Sequence, residues 1–143
     1  MASSDKLTLD YNFSSDPYDA HGWLEMRVET ENFFGQGGFW VQWQEIEELA
    51  EAILQYPITK RSPIVRDWGF SQAGSYTSIL RFELTPKNML GDILVLVRIA
   101  DYDDHTKYVG TSFRTTYSAL EWFSRDIGRM MRKEIGEAQL MSL

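Results

Sequence analysis

Cysteine is absent from the 143 residues. That excludes disulfides, thiolate nucleophiles and cysteine-type zinc sites, and it suits a reducing compartment. Histidine is nearly as scarce. Only His21 and His105 occur, and they are not one helical turn apart, so metal catalysis by paired imidazoles has no motif to rest on. Positive charge is also short, with 14 Lys and Arg against 21 Asp and Glu, a net of −7. Such a surface repels phosphates and favours a basic partner, which argues against nonspecific DNA or RNA binding. Long apolar runs are missing as well. The opening "MASSDKLTLDYNFSSDPYDA" holds no apolar stretch of signal-peptide length and no later run reaches bilayer-spanning length, so the expected location is cytoplasmic, with no membrane partner.

What is present suits one folded domain over residues 1–143, with enough apolar side chains for a substantial core. Aromatics are plentiful, and the five tryptophans need either a core or a partner surface. Trp23, Trp40, Trp43 and Trp68 fall near element ends, where an aromatic often closes the edge of a core, and most are expected there. Residues 1–22 mix Ser, Asp and Asn with scattered apolar positions and read as a loose lead-in with at most a short edge strand around Leu7 to Tyr11. From Trp23 to Thr30, Leu24, Met26 and Val28 alternate with Glu25, Arg27 and Glu29, the period of a strand with one face on a core.

The stretch "FFGQGGFWV", Phe33 to Val41, carries three glycines. A dinucleotide-binding loop needs a helix directly after it, and Gly38 is followed instead by the β-forming "FWV". A kinase-type loop would need a third glycine where Trp40 stands. The reading left is structural: Gly35, Gly37 and Gly38 mark a turn or bulge between two strands. From Trp43 to Tyr56, Ile46, Leu49, Ala50 and Ile53 recur at helical spacing, with Gln44, Glu47, Glu48, Glu51 and Gln55 on the opposite stripe, and Pro57 blocks extension. That stripe has no basic residue, so its glutamates lack an intrahelical partner.

Four strands follow: Ile64 to Phe70, Tyr76 to Thr85, Asp92 to Ala100 and Tyr108 to Thr116. Short connections make them antiparallel neighbours. In "DILVLVRIA" both alternate sets are apolar, which predicts a central strand covered at least partly on both faces. A last helix opens at "YSALEWF", with Ser118 as cap, Glu121 reaching back to it, and Tyr117 and Trp122 as a hydrophobic staple. Leu120, Phe123, Ile127, Met130, Met131 and Ile135 form its apolar stripe, with Arg125, Arg129, Arg132 and Lys133 toward its end. Residues 137–143 read as a frayed tail.

Candidates for chemistry are few. The loop "DYDDHTK" offers Asp101, Asp103, Asp104 and His105 to a cation but lacks the glycine and distal glutamate of an EF-hand, and a polar hairpin loop accounts for it equally well. No serine lies in a G-x-S-x-G setting, and His105 with Asp103 or Asp104 would need a hydroxyl brought to it by folding. No catalytic residue, cofactor or metal ligand is therefore assigned.

The segments "RVETENFFGQGGFWV", "EIEELAEAILQYP" and "FRTTYSALEWFSRDIGRMM", with the "LAEAI" helix core and the "GDILV" strand, resemble the small bacterial immunity proteins of the WapI type from Trp23 to Arg132. The resemblance implies a protein that binds and neutralises a cognate secreted toxin by contact, without turnover. It carries over no toxin-contacting residue. From charge alone, the stripe of Glu47, Glu48 and Glu51 with the neighbouring Trp43 is the candidate docking face for a basic toxin domain, such as a nuclease. The fold expected is α+β, a mainly antiparallel sheet of about six strands with two helices packed chiefly on one face. Two alternatives stay open: a small-molecule-binding or enzymatic domain with its pocket by the Gly35 to Gly38 bend, and a structural homodimer joined through a sheet edge.

Overall fold

A computed structural model describes residues 4–143. The chain is α+β, as expected, but among the described residues the strands number eight and divide into two antiparallel sheets. In order they are β1 (Lys6–Asn12), β2 (His21–Glu29), β3 (Phe34–Gln42), helix α1 (Trp43–Ala52), β4 (Ile64–Gln72), β5 (Ser75–Pro86), β6 (Ile93–Ala100), β7 (Tyr108–Thr115), helix α2 (Tyr117–Met131) and β8 (Ala138–Met141). The first sheet has the order β3-β2-β1-β8 and the second β4-β5-β6-β7.

The two chain ends are corrected most. The segment expected to be a loose lead-in supplies β1, an interior strand hydrogen-bonded to β2 on one side and to β8 on the other. The supposed frayed tail supplies β8, whose Ala138 and Leu140 pair with Leu9 and Leu7 and are fully buried. β1 and β8 lie more than a hundred residues apart, so nothing local advertises their pairing. The alternation of β2 is as the sequence predicts: Leu24, Met26 and Val28 are buried while Glu25, Arg27 and Glu29 are not.

One apolar cluster joins both sheets and both helices. Leu7, Leu9, Met26 and Val28 of the first sheet and Leu80, Phe82, Leu84, Val95 and Val97 of the second belong to it. Full burial of each such side chain contributes roughly 1.5–3 kcal/mol. Both helices meet strands of the first sheet, α1 meeting β3. They also pack on each other, and α2 covers β8 and β1. From α1 come Ile46 and Leu49, with Ile53 just beyond its end; from α2 come Leu120, Phe123, Ile127, Met130 and Met131.

Three local expectations also change. Helix α1 stops at Ala52, short of Tyr56, with Gln42 and Glu45 forming its capping box. Helix α2 is capped by Thr116, whose Oγ1 accepts the Ala119 N–H at 3.1 Å, and not by Ser118. Trp122 makes no staple: it is 61% exposed, with the Arg125 guanidinium 4.5 Å above its ring. β6 is central, as expected, with its inner set of Ile93, Val95, Val97 and Ile99 buried and its other face covered in part, Leu94 half-buried and Leu96 37% exposed.

Candidate functional site

The glycines of the "FFGQGGFWV" stretch do not bend the chain. β3 pairs with β2 through all nine of its residues without a shift of register, and among the described residues the only glycines of positive φ are Gly74 and Gly91, in the β4–β5 and β5–β6 turns. The reason for the glycines is the second sheet. A Cβ on Gly35 would stand 2.9 Å from Val109 Cβ, and one on Gly37 would stand 2.8 Å from Ile99 Cγ2 and 3.1 Å from the Ala100 carbonyl oxygen. Spaced two apart, they share the inner face of β3 and let it close directly on β6 and β7, where opposed sheets ordinarily need about 10 Å for side chains. Gly38 faces the other way, and its missing side chain leaves room for the Trp23 indole and the Glu25 carboxylate.

Gly22 performs a similar service at the far end of the strand. A Cβ there would stand 2.6 Å from the Tyr11 ring, so only a glycine in β2 lets Tyr11 of β1 cross to β3, where its hydroxyl donates to the Val41 carbonyl at 2.7 Å. Burial pushes the Tyr11 phenol up to about 12.

Beside β3 lies a cleft of about 790 Å³, within the ordinary range of ligand pockets. One wall is the Phe34 to Gly38 stretch with Trp23 and Glu25; the other is the β6–β7 loop with Tyr102 and the start of β7. Glu25 is held at both oxygens, accepting the Trp23 indole N–H at 2.7 Å and the Gln36 amide at 3.2 Å. Trp23 packs edge-on against Trp40 at 5.0 Å and Tyr102 at 5.6 Å. The loop is tied by its own backbone, Asp101 N–H to Lys107 O at 2.9 Å and Lys107 N–H to Asp104 O at 3.0 Å. The Thr106 hydroxyl and amide both donate to Asp104, holding its carboxyl below the usual aspartate value.

That loop does not gather its carboxylates. Among the described residues, no three side chains of His, Asp and Glu come together as metal ligands, and within this loop the Asp103 N–H donates to the Asp101 carboxylate at 3.1 Å. His105 is exposed and does not line the cleft, while His21 is exposed beside Asp19, 3.5 Å away.

The residues singled out for docking lie elsewhere. Glu47, Glu48 and Glu51 are all exposed on α1, and none joins an ion pair among the described residues. Trp43 is 37% exposed at the head of the same helix, beside the 13–20 loop. Of the tryptophans expected at core edges only Trp68 is buried; Trp40 is 52% exposed. Sequence reasoning missed the cleft residues Trp23, Glu25, Tyr102 and Lys107. The available signal was the polar set of the β2 alternation, which carries Trp23 and Glu25 on the face away from the core.

Compared with protein-family models, curated proteins and solved structures, the chain matches none. No helix among the described residues is long and apolar enough to cross a membrane.

Proposed function

We propose that this chain acts by stoichiometric binding of a protein, as an immunity protein that occupies a basic toxin domain. The observation that carries this reading is the state of α1. Its apolar stripe anchors in the core through Ile46 and Leu49, while Glu47, Glu48 and Glu51 stand in solvent without a cation. Three like charges on a rigid helix repel one another by a few tenths of a kcal/mol per neighbouring pair, a cost that a basic partner would relieve. A toxin that cleaves nucleic acid has to attract phosphates and therefore presents a complementary positive surface. Trp43, one turn before Glu47, supplies an aromatic anchor beside the charges.

Co-expression with the toxin expected to be encoded immediately upstream tests the reading. Cells carrying this chain should survive, and reversal of Glu47, Glu48 and Glu51 to lysine should weaken binding by about tenfold or more at low salt. Unchanged binding and an unchanged salt dependence would defeat the docking face; failure to protect would defeat the immunity role.

The cleft beside β3 favours a second reading, a binding site for a small molecule lodged between Gly35 to Gly38 and the β6–β7 loop. Its aromatic and carboxylate lining suits a ligand with an apolar face and hydrogen-bond donors.

A further inference from the structure

We propose that the open edge of β3 accepts an extended, lysine- or arginine-bearing segment of a partner protein as an added strand. β3 is the terminal strand of its sheet. The bonds that close the β2–β3 ladder, Thr30 N–H to Phe33 O at 2.8 Å and Trp43 N–H to Ala20 O at 3.1 Å, fix its phase. Antiparallel ladders alternate, so Gly35, Gly37, Phe39 and Val41 exchange hydrogen bonds with β2. The peptide groups of Phe34, Gln36, Gly38 and Trp40 then point away from β2. None of their N–H groups has a partner among the described residues.

Natural sheets blunt such an edge with lysine, proline, a bulge or a covering loop. β3 has no lysine, proline or bulge. Cover is partial: the Tyr102 ring, 5.6 Å from Trp23 on the outer face and 5.7 Å from Phe39 on the inner face, closes the Trp40 end. From Phe34 to Gly38 the edge opens on the 790 Å³ cleft. A row of outward peptide groups suits another backbone running alongside, since each residue of an added strand matches the repeat of the edge.

Charge selects the occupant. Glu25, Asp101 and Asp103 line the cleft against Lys107 alone, and none of the three carboxylates is in an ion pair among the described residues. A second copy of this chain paired edge to edge would bring two such sets together on molecules that each carry −7, so self-pairing is opposed. A basic strand is favoured. The inference needs neither α1 nor a toxin, and it stands or falls apart from the glutamate face.

The test uses the full chain, labelled for amide hydrogen exchange, and a short capped peptide alternating lysine and threonine, with its glutamate-for-lysine analogue as control. The lysine peptide should bind and slow exchange at Gln36 and Gly38 by about tenfold, while the analogue leaves both unchanged. Gln36→Pro removes an outward N–H without breaking a bond to β2, and should abolish binding, whereas Gln36→Ala should retain it within about threefold. No binding at millimolar peptide would overturn the proposal, as would binding that leaves the Gln36 and Gly38 amides unprotected or equal binding of the analogue. Protection that grows with protein concentration in the absence of peptide would overturn it in favour of a second copy.

Discussion

β3 and α1 follow one another without a break, yet they present themselves to solvent by different physics. In β3 the inner face is closed by contact: Gly35 and Gly37 sit against Val109, Ile99 and Ala100 with no room for a methyl group. Its outer edge offers peptide groups, which are directional and short in range. In α1 the inner face is an ordinary apolar stripe, and the outer face offers only charge, with a reach set by salt to about 8–10 Å. The difference teaches what each surface can discriminate. An edge recognises chain direction and register, whereas a glutamate face recognises sign and density of charge and little else.

The largest perturbation should come from the contact that β3 cannot give up. Gly37→Val drives two methyl groups into Ile99 and the Ala100 carbonyl, and should cost about 3 kcal/mol in chemical denaturation. A cost below about 1 kcal/mol would mean that the sheets do not touch there. Gly38→Ala is a milder test on the opposite face. Its methyl group would displace the Trp23 indole from Glu25, with a loss of about 1–2 kcal/mol and a shift in tryptophan fluorescence.

Next in size is the tie across the sheet. Tyr11→Phe leaves the Val41 carbonyl without its phenol and should cost about 1–2 kcal/mol. The same residue fixes an alkaline signature. Its folded pKa is raised from 10.0 to about 12, so the fold favours the protonated phenol and stability is lost as pH rises across that window. Tyr76 is also raised to about 12, by desolvation and the Asp67 carboxylate that accepts its hydroxyl at 2.7 Å. Melting followed from pH 9 upward should therefore fall less steeply in Tyr11→Phe than in the parent chain, without becoming flat. The smallest effect belongs to α1: Glu47→Gln should change stability by less than about 0.5 kcal/mol, because that face touches only water.

The same contrast explains what the sequence discloses. Periodicity is local, and the burial of Leu24, Met26 and Val28 in β2, or of Ile46, Leu49 and Ile53 in and just beyond α1, can be read directly from spacing. Pairing is not local. β1 looks loose because it is polar at its ends, and β8 because it is only four residues long; β8 takes its order from β1 across the length of the chain, and β1 from β2 and β8 together. Gly35 and Gly37 were legible as a departure from ordinary strand composition, but a glycine required by a sheet overhead looks the same as one required by a turn. Thr116 and Ser118 are both good caps, and only the tertiary position of Tyr117, whose hydroxyl accepts the Ile58 N–H at 2.9 Å, accompanies the choice between them. Of the candidate site, the glutamate face could be read because helical spacing sorts it. Of the cleft only one wall could be read, the Gly35 to Gly38 stretch, since the β6–β7 loop opposite lies some seventy residues further along the chain.

Amide hydrogen exchange in the free protein tests the central claim most directly, namely that the glycine stretch is a straight strand with one edge bonded and the other open. The account predicts alternation, with Gly35, Gly37 and Phe39 exchanging slowly and Gln36 and Gly38 exchanging at least about tenfold faster. Uniform fast exchange from Phe34 to Trp40 would restore the bend, and uniform slow exchange would mean that the edge is already covered.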